Sequence, residues 1–123
     1  MDEIEYYFKR AETKFNSAKL LYDNGNYPDS VTMSYYVMFL CAKALLIKKD
    51  YHSTKHQGIL DLFGQHYVYK EGFSQELYKS YTLGRTLREE SDYGYQAEID
   101  EETAKKQLID AKNFMEESKK FLK

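Results

Sequence analysis

The sequence predicts an all-α fold, an antiparallel four-helix up-and-down bundle with one additional short helix. Two observations support this class. The chain of 123 residues has one proline and six glycines, so few of its residues interrupt helices. Between these interruptions, hydrophobic residues recur at steps of three and four, the spacing of one face of an α-helix. A chain of this length builds one hydrophobic core, so we expect a single helical domain over residues 1–123.

The first helix is predicted to end near Asn24. Its hydrophobic residues follow the three-and-four step and are Ile4, Phe8, Ala11, Phe15, Ala18 and Tyr22. The segment Asn24-Gly-Asn26 has the composition of a helix stop followed by a turn. Pro28 suits the first turn of the next helix, where its missing N–H group costs nothing.

The second helix, predicted from about residue 28 to residue 49, is hydrophobic on nearly every face. Thr32, Ser34 and Lys43 interrupt its apolar run, so we interpret it as a buried helix and not as a membrane span. A helix of this kind lies at the centre of a bundle or is shared with a second subunit. Because so small a domain offers few partners to cover every face, we interpret it as the helix of a homodimer.

Three further helices follow, the first of them short. The short helix begins near residue 55, with apolar residues Ile59, Leu62, Phe63 and Tyr67. The fourth helix runs from about residue 75 to residue 92, with the inward stripe Leu77, Tyr81, Gly84 and then Leu87 or Arg88. The last helix begins at residue 100, with the stripe Ala104, Leu108, Ala111, Met115, Ser118 and Leu122.

The composition limits the classes of function. The net charge is −2 and the pI is near 5.9, so no overall basic field attracts the chain to nucleic acid or to an anionic membrane. The single cysteine, Cys41, excludes an intramolecular disulfide and a cysteine metal cluster. The first ten residues lack the apolar core of a signal peptide. We therefore expect a cytoplasmic protein.

The stretch LREESDYGY, residues 87–95, concentrates polar and aromatic side chains where the fourth helix should end. Asp92 follows Arg88 by four residues, which is the spacing of an ion pair on one helical face. In one interpretation this pair simply closes a helix end, with Tyr93 and Tyr95 covering the mouth of the bundle. In the other, Arg88 binds a phosphate and the tyrosines stack on a base.

The histidines lie in the segment HSTKH, residues 52–56. His52 and His56 have the spacing of a helical metal pair, but Ser53 stands where the zinc-protease motif has a glutamate and no third ligand is evident. We therefore expect neither a metal ion nor another cofactor. The segment Lys55-His56-Gln57-Gly58, at the start of a helix, is a better candidate for phosphate binding through free amide groups and the helix dipole. The alternative is an ordinary polar first turn.

Several segments in order resemble the HEPN domain, the "higher eukaryotes and prokaryotes nucleotide-binding" family of small helical proteins. They are AKLLYDNGNY at residues 18–27, SYYVMFLCAKALL at 34–46, KHQG at 55–58 with Phe63-Gly64, and REESDY at 88–93. The resemblance implies a helical bundle that commonly dimerises through its second and fourth helices. It also implies a frequent partner, a minimal nucleotidyltransferase encoded beside it.

Many HEPN proteins are metal-independent ribonucleases that act as toxins. Their motif is an arginine, four to six intervening residues and a histidine, often followed by a tyrosine two positions later. Arg88 matches the arginine and Tyr95 the trailing tyrosine, which in some toxin–antitoxin pairs receives an adenylate from the nucleotidyltransferase. Tyr93 stands in the position of the histidine. Tyrosine, with a pKa near 10, is a poor base at neutral pH, so this departure predicts a degenerate nuclease motif.

Three interpretations of function follow. In the first, the protein binds a nucleotide or RNA and a nucleotidyltransferase partner without cleaving RNA, through Arg88, Asp92, Tyr93 and Tyr95. In the second, it is an active metal-independent ribonuclease toxin that uses Arg88 with a tyrosine such as Tyr93, or with His56, provided that the third helix brings His56 to Arg88. In the third, it is a structural dimeric bundle that binds no ligand.

Overall fold

The computed structural model describes residues 2–92 and 98–122 of the chain, residues 91 and 92 as backbone only. Within these residues every regular element is helical, which confirms the predicted all-α class. The elements are α1 (Glu3–Asp23), α2 (Tyr27–Lys48), α3 (His56–Phe63), a π-helical turn (Gly64–Tyr69) that continues α3, α4 (Gln75–Asp92) and α5 (Glu101–Lys120). The arrangement is compatible with the predicted up-and-down bundle topology, which stays a prediction.

Local sequence signals set the ends of the long helices. Asp2 caps α1 by accepting a 2.8 Å hydrogen bond from the backbone N–H of Glu5, and Asp100 caps α5 through the N–H of Thr103 at the same distance. A side-chain cap of this kind stabilises a helix by about 1 kcal/mol. Between α1 and α2, Gly25 adopts a φ of 79°, a left-handed conformation that glycine takes without strain.

Helix α2 is the centre of the fold. It contacts α1, α3, α4 and α5, and 13 of its 22 residues are buried within this single chain. By length and mean hydropathy (1.6) it qualifies as a membrane span, but 72% of that window is buried inside the bundle, as expected of a core helix. Four neighbouring helices of the same chain therefore cover most of α2, whereas Tyr36, Lys43 and Ile47 stay partly exposed. The homodimer stays a prediction.

The apolar stripes differ from the predicted ones in α3 and α5. In α3, Leu60 is buried and Leu62 only partly so. In α5, Leu108 is partly exposed, whereas Gln107 and Asp110 are buried. The amide nitrogen of Gln107 donates to the Ser80 carbonyl oxygen at 3.0 Å, and the Asp110 carboxylate accepts hydrogen bonds from the Ser80 hydroxyl and from Lys106. Hydrophobic periodicity cannot predict such buried polar positions, because their burial depends on partners in another helix.

Candidate functional site

The first turn of α3, the middle of α2 and the C-terminal half of α4 meet at His56. His56 is the first residue of α3, and its Nδ1 atom lies 2.8 Å from the hydroxyl oxygen of Tyr35 in α2. The same Nδ1 atom lies 3.5 Å from Nη1 of Arg88 in α4. The structure therefore brings together, within one chain, the arginine and the histidine that the sequence places 32 residues apart.

Aromatic rings of α2 hold the His56 imidazole in place. It stacks on the ring of Phe39, with the centroids 4.2 Å apart and the planes 13° from parallel. The ring of Tyr36 meets it edge to face at 6.1 Å. Among the described residues, Nε2 of His56 has no hydrogen-bond partner, and the side chain is only partly buried. One nitrogen of a well-positioned ring is therefore available to a ligand.

The surroundings of His56 favour its neutral form. Burial lowers its pKa below the ordinary value, and the positive charges of Arg88, Arg85 and Lys43 lower it further. A neutral imidazole carries one proton, on either nitrogen. When Nδ1–H donates to the Tyr35 hydroxyl, Nε2 presents a lone pair; when Nδ1 accepts from Tyr35 or Arg88, Nε2 carries the proton. In the first of these tautomers His56 can take up a proton at Nε2.

Two arginines of α4 border the imidazole. The Arg88 guanidinium lies over the rings of Tyr35 and Tyr36, 5.7 and 5.3 Å from their centroids. The Nε atom of Arg85 donates to the side-chain oxygen of Gln57 at 3.0 Å and so ties α4 to the first turn of α3. Glu89 pairs with Arg85 at 2.7 Å and offsets part of its charge.

Tyr35 links the site to the core. Its side chain is fully buried. Burial raises the pKa of the Tyr35 hydroxyl, against the opposing effects of a hydrogen bond from Arg85 and of the Arg85 and Arg88 charges. The hydroxyl stays protonated at neutral pH, so it positions the imidazole and is not itself a base.

The other predicted site residues have different outcomes. Lys55 is the exposed residue immediately before α3, adjacent to His56. Asp92 ends α4, but its side chain lies outside the described residues, as do Tyr93 and Tyr95. The predicted pairing of Arg88 with Asp92 and the roles of both tyrosines therefore stay predictions.

The histidine pair does not form a shared site. His52 is exposed, and its Nε2 lies 3.0 Å from the carboxylate of Asp50. In the part of the chain that the structure describes, no group of three or more His, Cys, Asp or Glu side chains is arranged to hold a metal ion.

Tyr35, Phe39 and Arg85 belong to this site but were not predicted from the sequence. Tyr35 and Phe39 lie in the apolar second helix, where each is indistinguishable from a core residue. One signal was available: Arg85 precedes Arg88 by three residues and so shares its helical face.

The arrangement suits a phosphate group. The guanidinium groups of Arg85 and Arg88 place two positive charges at the site, and the start of α3 adds its first amide groups and its positive dipole end. An anion bound there would lie beside the imidazole of His56.

Comparisons with known proteins cover nearly the whole chain. Residues 4–121 match the family model described as the HEPN domain. A candidate toxin of Methanocaldococcus jannaschii is 36% identical over 123 residues, which span 99% of this chain and 90% of that protein. A second candidate toxin of that organism is 31% identical over 120 residues, 98% of this chain and 82% of its own length. A Thermotoga maritima protein named "UPF0332 protein" is 33% identical over 119 residues, 97% of this chain and 90% of its own length.

Proposed function

Because this chain belongs to the HEPN family, we propose that it is a toxin-like protein whose Arg88–His56 site binds RNA and cleaves it without a metal ion. One observation carries the proposal: Nη1 of Arg88 lies 3.5 Å from Nδ1 of His56 within a single chain. The family's ribonucleases combine an arginine with a histidine, and here α3 supplies a histidine to the arginine of α4.

The chemistry requires a base and an anion-stabilising group. Nε2 of His56 takes the proton of a 2′-hydroxyl, whose oxygen then attacks the adjacent phosphorus. The bond from phosphorus to the 5′-oxygen breaks, and that oxygen leaves with a proton from solvent, giving a 2′,3′-cyclic phosphate and a 5′-hydroxyl. Arg88 and Arg85 neutralise the charge that grows on the phosphate oxygens. A positioned general base contributes about 10²- to 10⁴-fold to the rate.

The proposal also accounts for Tyr93. A tyrosine in the histidine position of the motif removes the usual base, and the pKa of an ordinary tyrosine, about 10, prevents it from acting as a replacement at neutral pH. His56, held by Tyr35 and Phe39, takes over this role from the adjacent helix.

Our second proposal is that the site binds a nucleotide or an RNA end without cleaving it. Tyr93 in place of the histidine favours it, because the family's usual catalytic residue is missing. In this case the protein acts in the cytoplasm as a homodimer and as the partner of a minimal nucleotidyltransferase, with Tyr95 as the acceptor of an adenylate.

Incubation of the purified protein with labelled single-stranded RNA in EDTA separates the two proposals. We expect cleavage by the parent protein and its loss in His56→Ala and Arg88→Ala. His52→Ala is the matched control, because it removes an exposed histidine outside the site. RNA binding that requires Arg88, with no cleavage, supports the second proposal. If the parent protein neither binds nor cleaves RNA, both proposals fail.

A further inference from the structure

Helix α2 is mostly covered by its neighbours, but part of its surface stays open. In its middle and C-terminal half, Tyr36, Lys43 and Ile47 are partly exposed, at steps of seven and four residues. The antiparallel helix α1 carries Tyr7 and Lys14, also seven residues apart, along the edge of the same opening. We call the side chains of Tyr7, Lys14, Tyr36 and Lys43 the α1–α2 strip.

The strip consists of two pairs, each with a cation over a tyrosine ring. The Lys43 ammonium of α2 lies 4.9 Å from the ring centroid of Tyr7 in α1. The Lys14 ammonium of α1 lies 5.9 Å from the ring centroid of Tyr36 in α2. Seven residues of helix rise about 10 Å, so the two pairs follow each other along the groove at that spacing. Each helix supplies the cation to one pair and the ring to the other.

One end of the strip joins the Arg88–His56 site. The ring of Tyr36 is 6.1 Å from the imidazole of His56, and the Arg88 guanidinium lies 5.3 Å from the centroid of that same ring. Tyr36 therefore belongs to both. At the other end, a cavity of about 150 Å³ is lined by Tyr7, Lys43 and Ile47, by Glu3, and by the loop residues His52, Ser53 and Thr54.

The two lysines of the strip contact tyrosine rings and no described carboxylate. Neither Lys14 nor Lys43 forms a salt bridge with a described residue. By contrast, Lys19, Lys106 and Lys119 are each paired with a carboxylate. The chain is acidic overall, and the strip sets two positive charges beside two partly exposed aromatic rings, next to the Arg88–His56 site.

We propose that the α1–α2 strip binds the single-stranded RNA that flanks the phosphate held at Arg88 and His56. The proposal rests on the function proposed above. Each pair offers an ammonium group to a backbone phosphate and a tyrosine ring to a base, the combination by which proteins hold single strands without reading their sequence. The strip extends the site over more than one nucleotide.

The test compares two double variants that remove the same charge. Lys14→Gln with Lys43→Gln alters the strip, whereas Lys105→Gln with Lys112→Gln alters exposed lysines of α5. For a labelled single strand of about ten nucleotides, we expect the strip variant to bind at least about tenfold more weakly. The slope of log K against log salt should fall by about 1.4, the value for two phosphate contacts in single strands. The α5 variant should bind as the parent does.

A dinucleotide separates this inference from the function on which it rests. It reaches only Arg88 and His56, so its binding should be lost in Arg88→Ala and kept in the strip variant. If the strip variant binds the longer strand with the parent's affinity while Arg88→Ala does not, the inference fails and the proposed site stands. If the parent binds neither RNA, both fail.

A measurement on the unaltered protein covers the case in which the strip variant does not fold. The native protein is acetylated with and without the longer RNA, and each lysine is quantified by mass spectrometry. RNA should protect Lys14 and Lys43 and leave Lys112 unchanged. Equal acetylation of the strip lysines in both samples overturns the inference.

Discussion

The hydroxyl of Tyr35 lies 2.8 Å from Nδ1 of His56, so a fully buried residue of the central helix fixes the orientation of a partly exposed imidazole. Rotation of the imidazole about its Cβ–Cγ bond would break this hydrogen bond and disturb the stacking on Phe39. The site is thereby coupled to the most buried part of the fold.

Tyr35→Phe tests this positioning role. A hydrogen bond of this kind is worth about 1 kcal/mol, so we expect both the free energy of unfolding and the barrier to RNA cleavage to change by about that amount, the latter roughly a fivefold loss of rate. NMR of the imidazole nitrogens should show a change in the balance between the two tautomers of His56. Phe39→Leu is the companion variant, because it keeps the hydrogen bond and removes the stacking. An unchanged imidazole spectrum in Tyr35→Phe would contradict the positioning role.

The pH dependence of cleavage follows from the lowered pKa of His56. A base must be unprotonated, so kcat/KM should rise with pH through the pKa of His56 and level off above it, already below the ordinary histidine value of about 6.5. Among the cations that lower this pKa, Arg88 has the largest effect. Because cleavage needs Arg88, its effect is measured on the titration of the His56 imidazole, followed by NMR without RNA. The midpoint should stay in place in Arg88→Lys, which keeps the charge, and move to higher pH in Arg88→Gln. The same midpoint in both variants would show that Arg88 does not lower the pKa of His56.

The lowered pKa of His56 also makes the free energy of unfolding depend on pH. A histidine whose pKa is raised on folding stabilises the fold at low pH, whereas His56 destabilises it there. The folded protein holds His56 neutral, whereas the unfolded chain protonates it near pH 6.5, so the unfolded state binds more protons as the pH falls. The free energy of unfolding should therefore decrease as the pH falls through 6.5 toward the lower folded pKa. Urea titrations at pH 7.5 and 5.5 check this, and His56→Gln should reduce the difference between them. An equal difference in the variant would assign it to other groups.

Gly84 lies where α4 packs tightly against α2. An added Cβ atom would lie 3.3 Å from Cβ of Tyr35 and 3.0 Å from the side-chain nitrogen of Gln107. Gly→Ala inside a helix ordinarily stabilises by about 0.5–1 kcal/mol, but here we expect a net destabilisation of about 1–3 kcal/mol from overpacking. Thr86→Ala, at an exposed position of the same helix, is the control for helix propensity. Thermal unfolding that shows Gly84→Ala to be the more stable protein would contradict the close approach.

Asp110 tests the buried polar contacts between α4 and α5. Its carboxylate accepts hydrogen bonds from the Ser80 hydroxyl and from the Lys106 ammonium group. The bond with Asp110 raises the pKa of Lys106. Asp110→Ala leaves the Ser80 hydroxyl buried without its partner, a loss of about 1–3 kcal/mol in the free energy of unfolding. Glu116→Ala, exposed on the same helix, should change it by less than about 0.5 kcal/mol. Equal effects of the two variants would show that the contact contributes nothing.

The sequence was sufficient for the fold class, the helix boundaries and the family. Caps such as Asp100 and the turn at Gly25 are local signals, and the resemblance to the HEPN family is confirmed. The sequence also identified Arg88 and His56, but as two separate candidate site residues. The distance between them could not be predicted, because it depends on how the first turn of α3 packs against α4.

Two other features escaped prediction for related reasons. Tyr35 reads as one more apolar residue of α2, since only its tertiary neighbours reveal that its hydroxyl faces His56. Gln107 and Asp110 interrupt an apolar stripe, and only Ser80 of the neighbouring helix explains their burial. Periodicity describes one helix at a time, whereas these positions are set by pairs of helices.

That Arg88 and His56 come from one chain has a consequence for how activity depends on protein concentration. A site shared between two subunits disappears on dilution below the dissociation constant of the dimer, and its activity then falls with the square of concentration. The pair described here needs no second copy to come together. The turnover per chain should stay constant on dilution, and a single molecule in a cell would already carry the complete pair.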